Sequence, residues 1–203
     1  MESIRGKHAA CVDLAAMSRL IAGYSRVLID LGTGDGRFVQ HVATTSPDTF
    51  AIGIDLCREN LSRASRRAPT NALYVIASAY AAPAELRGAA THLTINFPWS
   101  ELLNGLLVGD SRLLTALDAL GRPGANLDVR LNCGALTAAG WTLPDAGKAV
   151  TRSLQVAGFA VRKPTLLEAQ ELRAIPSTWA HRLAFGRDPR ALYIQGVKID
   201  RGE

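Results

Sequence analysis

The chain has 203 residues, of which 48% are hydrophobic and 20% are charged, a composition typical of a folded globular protein. A chain of this length buries about two-thirds of its unfolded surface in one core, so we predict a single domain over residues 1–203. No apolar stretch approaches the ~20 residues of a membrane span, and the N-terminus lacks the apolar run of a signal peptide. The formal net charge of +5 predicts an acidic partner.

The cysteines and histidines favour neither a disulfide framework nor a metal site. Cys11, Cys57 and Cys133 are odd in number and widely separated, without the Cys-x-x-Cys spacing of zinc sites. None of the four histidines has a partner at ligand spacing. We therefore expect no metal, and the cytoplasm as the compartment.

The first 23 residues are predicted to form an extension ahead of the main fold. The stretch from Val12 to Gly23 has the pattern of a short amphipathic helix, with Asp13 as its N-terminal cap. Before it, Gly6-Lys7 lies between two short runs, which is typical of either a hairpin turn or a frayed terminus. The sequence leaves both alternatives open.

A buried strand then runs into a glycine turn, and the apolar run after it ends in an acidic residue. The first strand ends at Asp30, the turn contains Gly32, Thr33 and Gly34, and the next run ends at Asp55. Glycine lets the backbone approach a ligand closely, and an acidic residue after the second strand can accept both hydroxyls of a ribose.

The position of the first carboxylate indicates which cofactor is bound. Asp30 can accept a positively charged amino group, whereas it would repel the pyrophosphate of a dinucleotide. Gly36 also falls one residue early for the dinucleotide pattern. The set predicts S-adenosylmethionine, and a tight strand-to-helix turn without a ligand is the alternative.

Strands and amphipathic segments alternate along the rest of the chain, which predicts an α/β fold. The predicted strands are 27–31, 50–55, 73–77, 90–96, about 125–132, 159–162 and 191–198. The connection between the last two lacks a full helical crossover, so we expect the sheet to be mostly parallel with an antiparallel final pair.

The fourth strand ends in Asn96-Phe97-Pro98-Trp99, where a parallel sheet presents side chains to a ligand crevice. The proline fixes the backbone so that Trp99 is aimed, and an aromatic pair at this point can stack on a flat base. The alternative is that Phe97 and Trp99 cap the core.

A second tryptophan lies downstream in Ser177-Thr178-Trp179, followed by spaced arginines. Aromatic residues interleaved with basic ones are typical of nucleic-acid contacts, and a solvated helix with one buried tryptophan is the alternative. We take Arg182, Arg187 and Arg190 as candidate RNA-binding residues.

A further basic group follows the second strand. Arg63, Arg66 and Arg67 share one face of the predicted helix there, which could track phosphates or could simply be solvated. Arginine outnumbers lysine nineteen to four, an excess that fits either RNA binding or an arginine-rich genome.

Taken together, LIDLGTGDGRF, IGID, NFPWSELL and STWAHRLAFGR resemble the aminoglycoside-resistance 16S rRNA methyltransferases that modify N1 of adenine-1408. The likeness covers nearly the whole chain. It implies a class I methyltransferase fold, Rossmann-like, with a seven-stranded sheet, helices on both faces and an N-terminal hairpin. It also implies S-adenosylmethionine as the donor and the 16S rRNA of the 30S ribosomal subunit as the substrate, with the enzyme as a monomer.

The resemblance also assigns roles to residues of this chain. Trp99 and Trp179 would sandwich the flipped adenine, with Phe97 and Pro98 in the same catalytic group. The remaining candidates would hold the cofactor: Asp30, Gly32, Thr33, Gly34, Asp55, Ser78, Ala79, Asn96 and Ser177. Adenine N1 carries an in-plane lone pair and can attack a sulfonium methyl directly, so we assign no general base.

Four other functions stay open, one of which is a small-molecule methyltransferase, for which the basic surface would have no role. Asn96-Phe97-Pro98-Trp99 also resembles the Asn-Pro-Pro-aromatic motif of amino-methyltransferases, in which Asn96 would accept from an exocyclic amine. The fold also permits methylation of tRNA guanine at N7. A non-catalytic RNA-binding module is the last alternative, against which the intact Asp30 and Asp55 argue.

Overall fold

The computed structural model describes residues 1–186, 188–200 and 202. Its strands are β1 (Glu2–Arg5), β2 (His8–Cys11), β3 (Arg26–Leu31), β4 (Thr49–Asp55), β5 (Ala72–Ile76), β6 (Ala90–Asn96), β7 (Gly121–Asn132), β8 (Phe159–Val161), β9 (Thr165–Leu167) and β10 (Ala191–Lys198). Its α-helices are α1 (Leu14–Ile21), α2 (Arg37–Thr45), α3 (Arg58–Ser65), α4 (Ser100–Val108), α5 (Ser111–Leu120), α6 (Cys133–Ala138), α7 (Leu143–Val156), α8 (Ala169–Ala174) and α9 (Thr178–Ala184).

The strands form one sheet in the order β2-β1-β5-β4-β3-β6-β7-β10-β8, and β9 pairs with β10 as well. The strands from β3 to β7 pair in parallel, whereas β10 runs antiparallel to β7 and β8. The seven predicted strands correspond to β3–β8 and β10, so the α/β fold and the antiparallel final strand are confirmed.

The N-terminal residues form an antiparallel hairpin of β1 and β2, and β1 extends the sheet beyond β5. Of the two alternatives for residues 1–11, the hairpin is therefore the one observed. The helix after it begins at Leu14 rather than Val12, because Asp13 is its cap and accepts a hydrogen bond from the Ala16 amide at 2.7 Å.

Helices cover both faces of the sheet. The larger apolar layer lies under α1, α4, α5 and α7, and a smaller one lies under α2 and α3. A third cluster packs α8 and α9 around the buried ring of Phe97. No helix in the described part of the chain is long and apolar enough to cross a membrane.

Candidate active site

A cavity of about 510 Å³ opens at the carboxyl ends of the parallel strands, where β3 lies between β4 and β6. The connection that leaves β3 passes through α2 on one face of the sheet, and the connection that leaves β6 passes through α4 and α5 on the other. Doubly wound sheets bind ligands at such a point. Every predicted cofactor residue and every predicted base-holding residue lines this cavity: Asp30, Gly32, Thr33, Gly34, Asp55, Ser78, Ala79, Asn96, Phe97, Pro98, Trp99, Ser177 and Trp179.

The glycine turn forms one wall of the cavity. Gly34 has a φ of 57°, and a Cβ built on it would meet no atom within 4 Å, so the backbone here faces open space. Gly36 has a different role, because its Cβ would lie 2.6 Å from the ring of Tyr74. The hydroxyl of Tyr74 donates to the Gly36 carbonyl at 3.0 Å, so this glycine allows the turn to pack on the sheet.

Asp55 ties the turn to the end of β4. Its two carboxylate oxygens accept hydrogen bonds from the backbone amides of Gly34 and Cys57, each at 2.8 Å. A carboxylate has about four lone-pair positions, so each oxygen can accept a further bond from a hydroxyl. Asp55 therefore both shapes the turn and can bind a diol.

Asp30 is buried at the floor of the cavity, with 2% of its surface exposed. Its Oδ1 accepts hydrogen bonds from the Thr94 hydroxyl at 2.6 Å and from the Asn96 amide at 2.9 Å. Burial raises the pKa of Asp30, and these two donors and the charge of Arg130 oppose that rise. A cationic ligand group in the cavity would favour the ionised carboxylate further.

The backbone that carries the first tryptophan is strained. Phe97 and Ser100 are the non-glycine residues with positive φ among the described residues, at 53° and 48°. Phe97 is 2% exposed and anchors the segment in the third apolar cluster, whereas Trp99 is 43% exposed. Such strain persists where the surroundings enforce it, and it is frequent at ligand sites.

The second tryptophan reaches the same place from α9. The ring centroids of Trp99 and Trp179 lie 5.4 Å apart with 44° between their planes, and the Arg182 guanidinium lies 5.3 Å from the Trp179 centroid. Indoles in contact leave no room for a base, so the predicted sandwich requires the rings to part. The Thr178 hydroxyl donates to Asp35 in the glycine turn and so links α9 to that wall of the cavity.

The predicted RNA-binding arginines are arranged differently from the expectation. Helix α3 ends at Ser65, so Arg63 is on the helix, whereas Arg66 is its C-terminal cap and Arg67 lies beyond it. All three are exposed, and Arg66 keeps helical backbone angles, so it stays one turn from Arg63, whereas Arg67 lies past the end of the helix. Patterns of charge along a chain do not show where a helix ends.

The arginines after Trp179 also differ from one another. Arg190 is exposed but makes a two-bond ion pair with Asp188, at 2.6 and 3.0 Å, which a phosphate would have to displace. Arg182 is exposed beside Trp179. Arg187 lies outside the described residues.

A family model for 16S rRNA (adenine(1408)-N(1))-methyltransferases, named NpmA, matches residues 2–198. The chain belongs to this family. A protein from Escherichia coli described as 16S rRNA (adenine(1408)-N(1))-methyltransferase is 30% identical, over 91% of this chain and 94% of that protein.

Solved structures agree with this assignment. The antibiotic-resistance methyltransferase Kmr is 33% identical with a TM-score of 0.83, covering 100% of both chains. A variant of the 16S rRNA (adenine(1408)-N(1))-methyltransferase from Catenulisporales acidiphilia, solved with cosubstrate SAM, has a TM-score of 0.86. It is 24% identical and covers 100% of this chain and 99% of its own, a level that shows the fold.

Several cavity residues of this family member were missed by sequence reasoning. Leu56, which is 66% exposed, directly follows Asp55 and offers an apolar surface at the mouth. An exposed leucine after the acidic end of a strand was the available signal. Phe38, Tyr80 and Leu102 line the cavity from helices and loops whose position the sequence does not show.

No cluster of three or more His, Cys, Asp or Glu side chains that could hold a metal occurs among residues 1–186, 188–200 and 202. In the cavity Asp55 is bonded to backbone amides and Asp30 to neutral side chains.

Proposed function

We propose that this protein transfers a methyl group from S-adenosylmethionine to N1 of adenine-1408 in 16S rRNA and thereby confers aminoglycoside resistance. The observation that carries the proposal is one cavity that combines two differently placed carboxylates with two exposed tryptophans at its mouth. Family membership supports the same substrate.

The donor set of the cavity fits S-adenosylmethionine. Asp30 would accept from the amino group of the methionine moiety, and Asp55 from the ribose hydroxyls. The open space over Gly34 gives the ligand access to the backbone. The remaining cofactor residues would line the adenine and the methionine chain: Gly32, Thr33, Ser78, Ala79 and Ser177.

The work of the protein in this reaction is orientation. The bound cofactor supplies an electrophilic methyl group on a sulfonium. Adenine N1 presents its own lone pair, so no side chain has to remove a proton before attack. Trp99 and Trp179 would part to stack on the two faces of the flipped base, with Phe97 and Pro98 fixing the direction of Trp99.

The hydrogen bonds of Asn96 favour N1 over an exocyclic amine as the acceptor. The Asn96 amide nitrogen donates to Asp30 at 2.9 Å, and its oxygen accepts from Arg130 at 2.8 Å. An amino-methyltransferase needs that oxygen to accept from the amine of its substrate. In this chain Arg130 already occupies one of the two lone pairs of that oxygen, and the amide nitrogen is held by Asp30, so both ends of the Asn96 side chain are bonded to the protein.

The RNA substrate would meet the exposed basic residues Arg63, Arg66, Arg67, Arg182 and Arg190, together with Arg187. Phosphate contacts of this kind position a nucleic acid without reading its sequence. A ribosomal substrate places the reaction in the cytoplasm, and the proposal keeps the protein as a monomer.

The test is to incubate purified 30S subunits with the protein and methyl-labelled S-adenosylmethionine, digest the rRNA and identify the labelled nucleoside. The proposal expects 1-methyladenosine. Labelled N6-methyladenosine would show that the exocyclic amine is the acceptor. In a parallel reaction with tRNA, labelled 7-methylguanosine would show that tRNA is the substrate. No incorporation, with no binding of the cofactor by calorimetry, would support a non-catalytic RNA-binding module.

A further inference from the structure

A row of polar side chains crosses one face of the sheet beside the cofactor cavity. Register pairs Asp30 with Thr94 and Thr94 with Asp128, while the next row pairs Asn96 with Arg130 and Arg130 with Tyr193. All six side chains lie on the same face, because side chains of paired residues point to the same side of a sheet. We call these six residues the polar ladder.

The opposite face of the same strands is apolar. Leu93, Ile95, Leu127 and Val129 alternate with the ladder residues and are buried under α4, α5 and α7. A parallel sheet with helices on both faces usually carries apolar residues on both. The ladder instead extends onto a part of the face that α2 and α3 do not cover, because those helices pack on β1, β4 and β5, and most of its side chains are half-buried.

Asn96 is the bridge between the cavity and the rest of the ladder. It donates to Oδ1 of Asp30 at 2.9 Å and accepts from Nη1 of Arg130 at 2.8 Å. Thr94 donates to the same oxygen, Oδ1, at 2.6 Å. Both donors therefore hold one oxygen of Asp30, and the other oxygen, Oδ2, is free of these two side chains.

Arg130 is itself held in place by Tyr193 and Asp128. Its guanidinium lies 4.8 Å from the ring centroid of Tyr193 and 3.6 Å from Asp128, with 14% of the side chain exposed. Asp128 in turn accepts from Tyr193 at 2.8 Å and bonds His92 at 3.0 Å. The guanidinium cannot move freely, so its bond to Asn96 is fixed in direction.

A positive charge in this position matters because Asp30 is buried. Burial disfavours the ionised carboxylate, whereas a cation close by and donated hydrogen bonds favour it. Only the ionised form can accept the amino group of the cofactor as an ion pair.

We propose that Arg130 and Asn96 are positioning residues that act through Asp30. The fixed guanidinium of Arg130 orients the Asn96 amide, and that amide holds Oδ1 of Asp30. This arrangement keeps Asp30 ionised and turns Oδ2 to the amino group of the cofactor. This inference rests on the proposed function, because it assigns the amino group of S-adenosylmethionine to Asp30. Neither residue touches the reacting methyl group, so neither is catalytic.

The test measures two ligands that share the adenosine, of which only one carries the amino acid and the charged sulfonium. S-adenosylmethionine carries the amino group, whereas 5′-methylthioadenosine keeps the adenosine and lacks the amino acid. In the full-length protein, Arg130→Met and Asn96→Leu should each raise the calorimetric Kd for S-adenosylmethionine about tenfold, the usual effect of losing one hydrogen bond to a charged group. The Kd for methylthioadenosine should change less than about twofold.

The double variant tests whether Arg130 acts through Asn96. Adding Arg130→Met to Asn96→Leu should weaken binding of S-adenosylmethionine by less than about a further twofold, because the connection is already broken. Arg122→Met, at an exposed arginine near the other end of β7, is the matched control and should leave both affinities unchanged.

The pH dependence gives an independent readout. The titratable and charged groups around Asp30 are Arg130 and Asp128 on β7, His92 on β6, Tyr74 on β5, Asp55 on β4 and Asp35 in the glycine turn. Removing the positive charge of Arg130 raises the pKa of Asp30 further. As the pH is lowered, the affinity for S-adenosylmethionine should therefore begin to fall at a higher pH in Arg130→Met than in the parent.

Equal losses for both ligands, or independent and additive effects of the two substitutions, would overturn the inference and make the ladder a purely structural feature. If Arg130→Met does not fold, Asn96→Leu decides alone, because it removes the bridge and keeps Arg130 with Asp128 and Tyr193. If the parent binds S-adenosylmethionine and the variants bind it equally well, only this inference is contradicted. A parent that does not bind it contradicts the proposed function as well.

Discussion

Asp30 and Asp55, the two aspartates predicted to hold the cofactor, accept hydrogen bonds from different kinds of donor. Asp55 accepts backbone amides at the rim, whereas Asp30 is a buried carboxylate bonded to neutral donors. Both were identifiable from sequence, because Asp30 ends the apolar run before the glycine turn and Asp55 ends the apolar run after it. The partners of Asn96 were not, because Asp30 and Arg130 lie 66 and 34 residues away and meet it only through strand register.

Asp30→Asn should separate stability from binding. Burial raises the pKa of Asp30, so the folded state binds this proton more tightly than the unfolded state does. The contribution of this group to stability is therefore present at low pH and lost as the pH rises through the folded-state pKa. At neutral pH the neutral asparagine should leave the Tm unchanged or higher, while calorimetry shows at least about a tenfold loss of S-adenosylmethionine affinity. A lower Tm with unchanged affinity would be the opposite result.

The tryptophans should behave as ligand-binding residues rather than core residues. Trp99 and Trp179 are 43% and 40% exposed, so truncation to Ala should lower the Tm by less than about 4 °C, or about 1 kcal/mol. Methylation of 30S subunits should fall about tenfold to a hundredfold, since stacking on one base contributes about 1–3 kcal/mol.

The third tryptophan is the control for that experiment. Trp141 packs against the large apolar layer, away from the cavity, so Trp141→Ala should lower the Tm and leave methylation by the folded protein unchanged. If the Trp99 and Trp179 variants instead melt like the Trp141 variant and still methylate, they belong to the core.

Helix α9 depends on long-range contacts that no local pattern shows. Its buried face packs on Phe97, and the Thr178 hydroxyl bonds Asp35, 143 residues away in sequence. The aromatic and basic spacing predicted contact with a nucleic acid, but the arrival of Trp179 beside Trp99 follows only from this packing. Likewise, the alternation of polar residues along β6 and β7 was visible in sequence but did not show which side chains would meet.

Thr178→Val should weaken the reaction without unfolding the helix. An exposed hydrogen bond to a carboxylate contributes about 1 kcal/mol, so methylation of 30S subunits should fall about threefold to tenfold, with a Tm within about 2 °C of the parent. Thr44→Val is the matched control, because the Thr44 hydroxyl bonds only within α2 at 2.8 Å. Equal kinetics in the two variants would show that the link between α9 and the glycine turn has no role in catalysis.

The arginines that make up the positive net charge of the molecule differ in whether they are paired within the protein. The net charge of +5 includes arginines that are paired within the protein, such as Arg190, and other exposed arginines, such as Arg63 and Arg182, the second of which lies beside Trp179. Composition predicted an acidic partner but could not show which arginines are paired, because pairing depends on the fold.

Reversal of Arg63, Arg66 and Arg67 to Glu should weaken binding of 30S subunits most strongly at low salt and reduce the salt dependence of the affinity. Calorimetric affinity for S-adenosylmethionine should stay the same, since none of the three lines the cavity. Arg152→Glu, an exposed arginine on α7 beyond the other face of the sheet, is the control. Parent-like subunit binding by the triple variant would show that these arginines are only solvated.

The position of the modified base can be measured directly by primer extension across adenine-1408 in 16S rRNA from treated 30S subunits. A methyl group on N1 blocks the pairing edge of adenine, so reverse transcription should stop at that base after treatment with the parent and S-adenosylmethionine. The stop should disappear with Asp30→Asn. Read-through at adenine-1408 with the active parent, or a stop at another base, would contradict the proposed function.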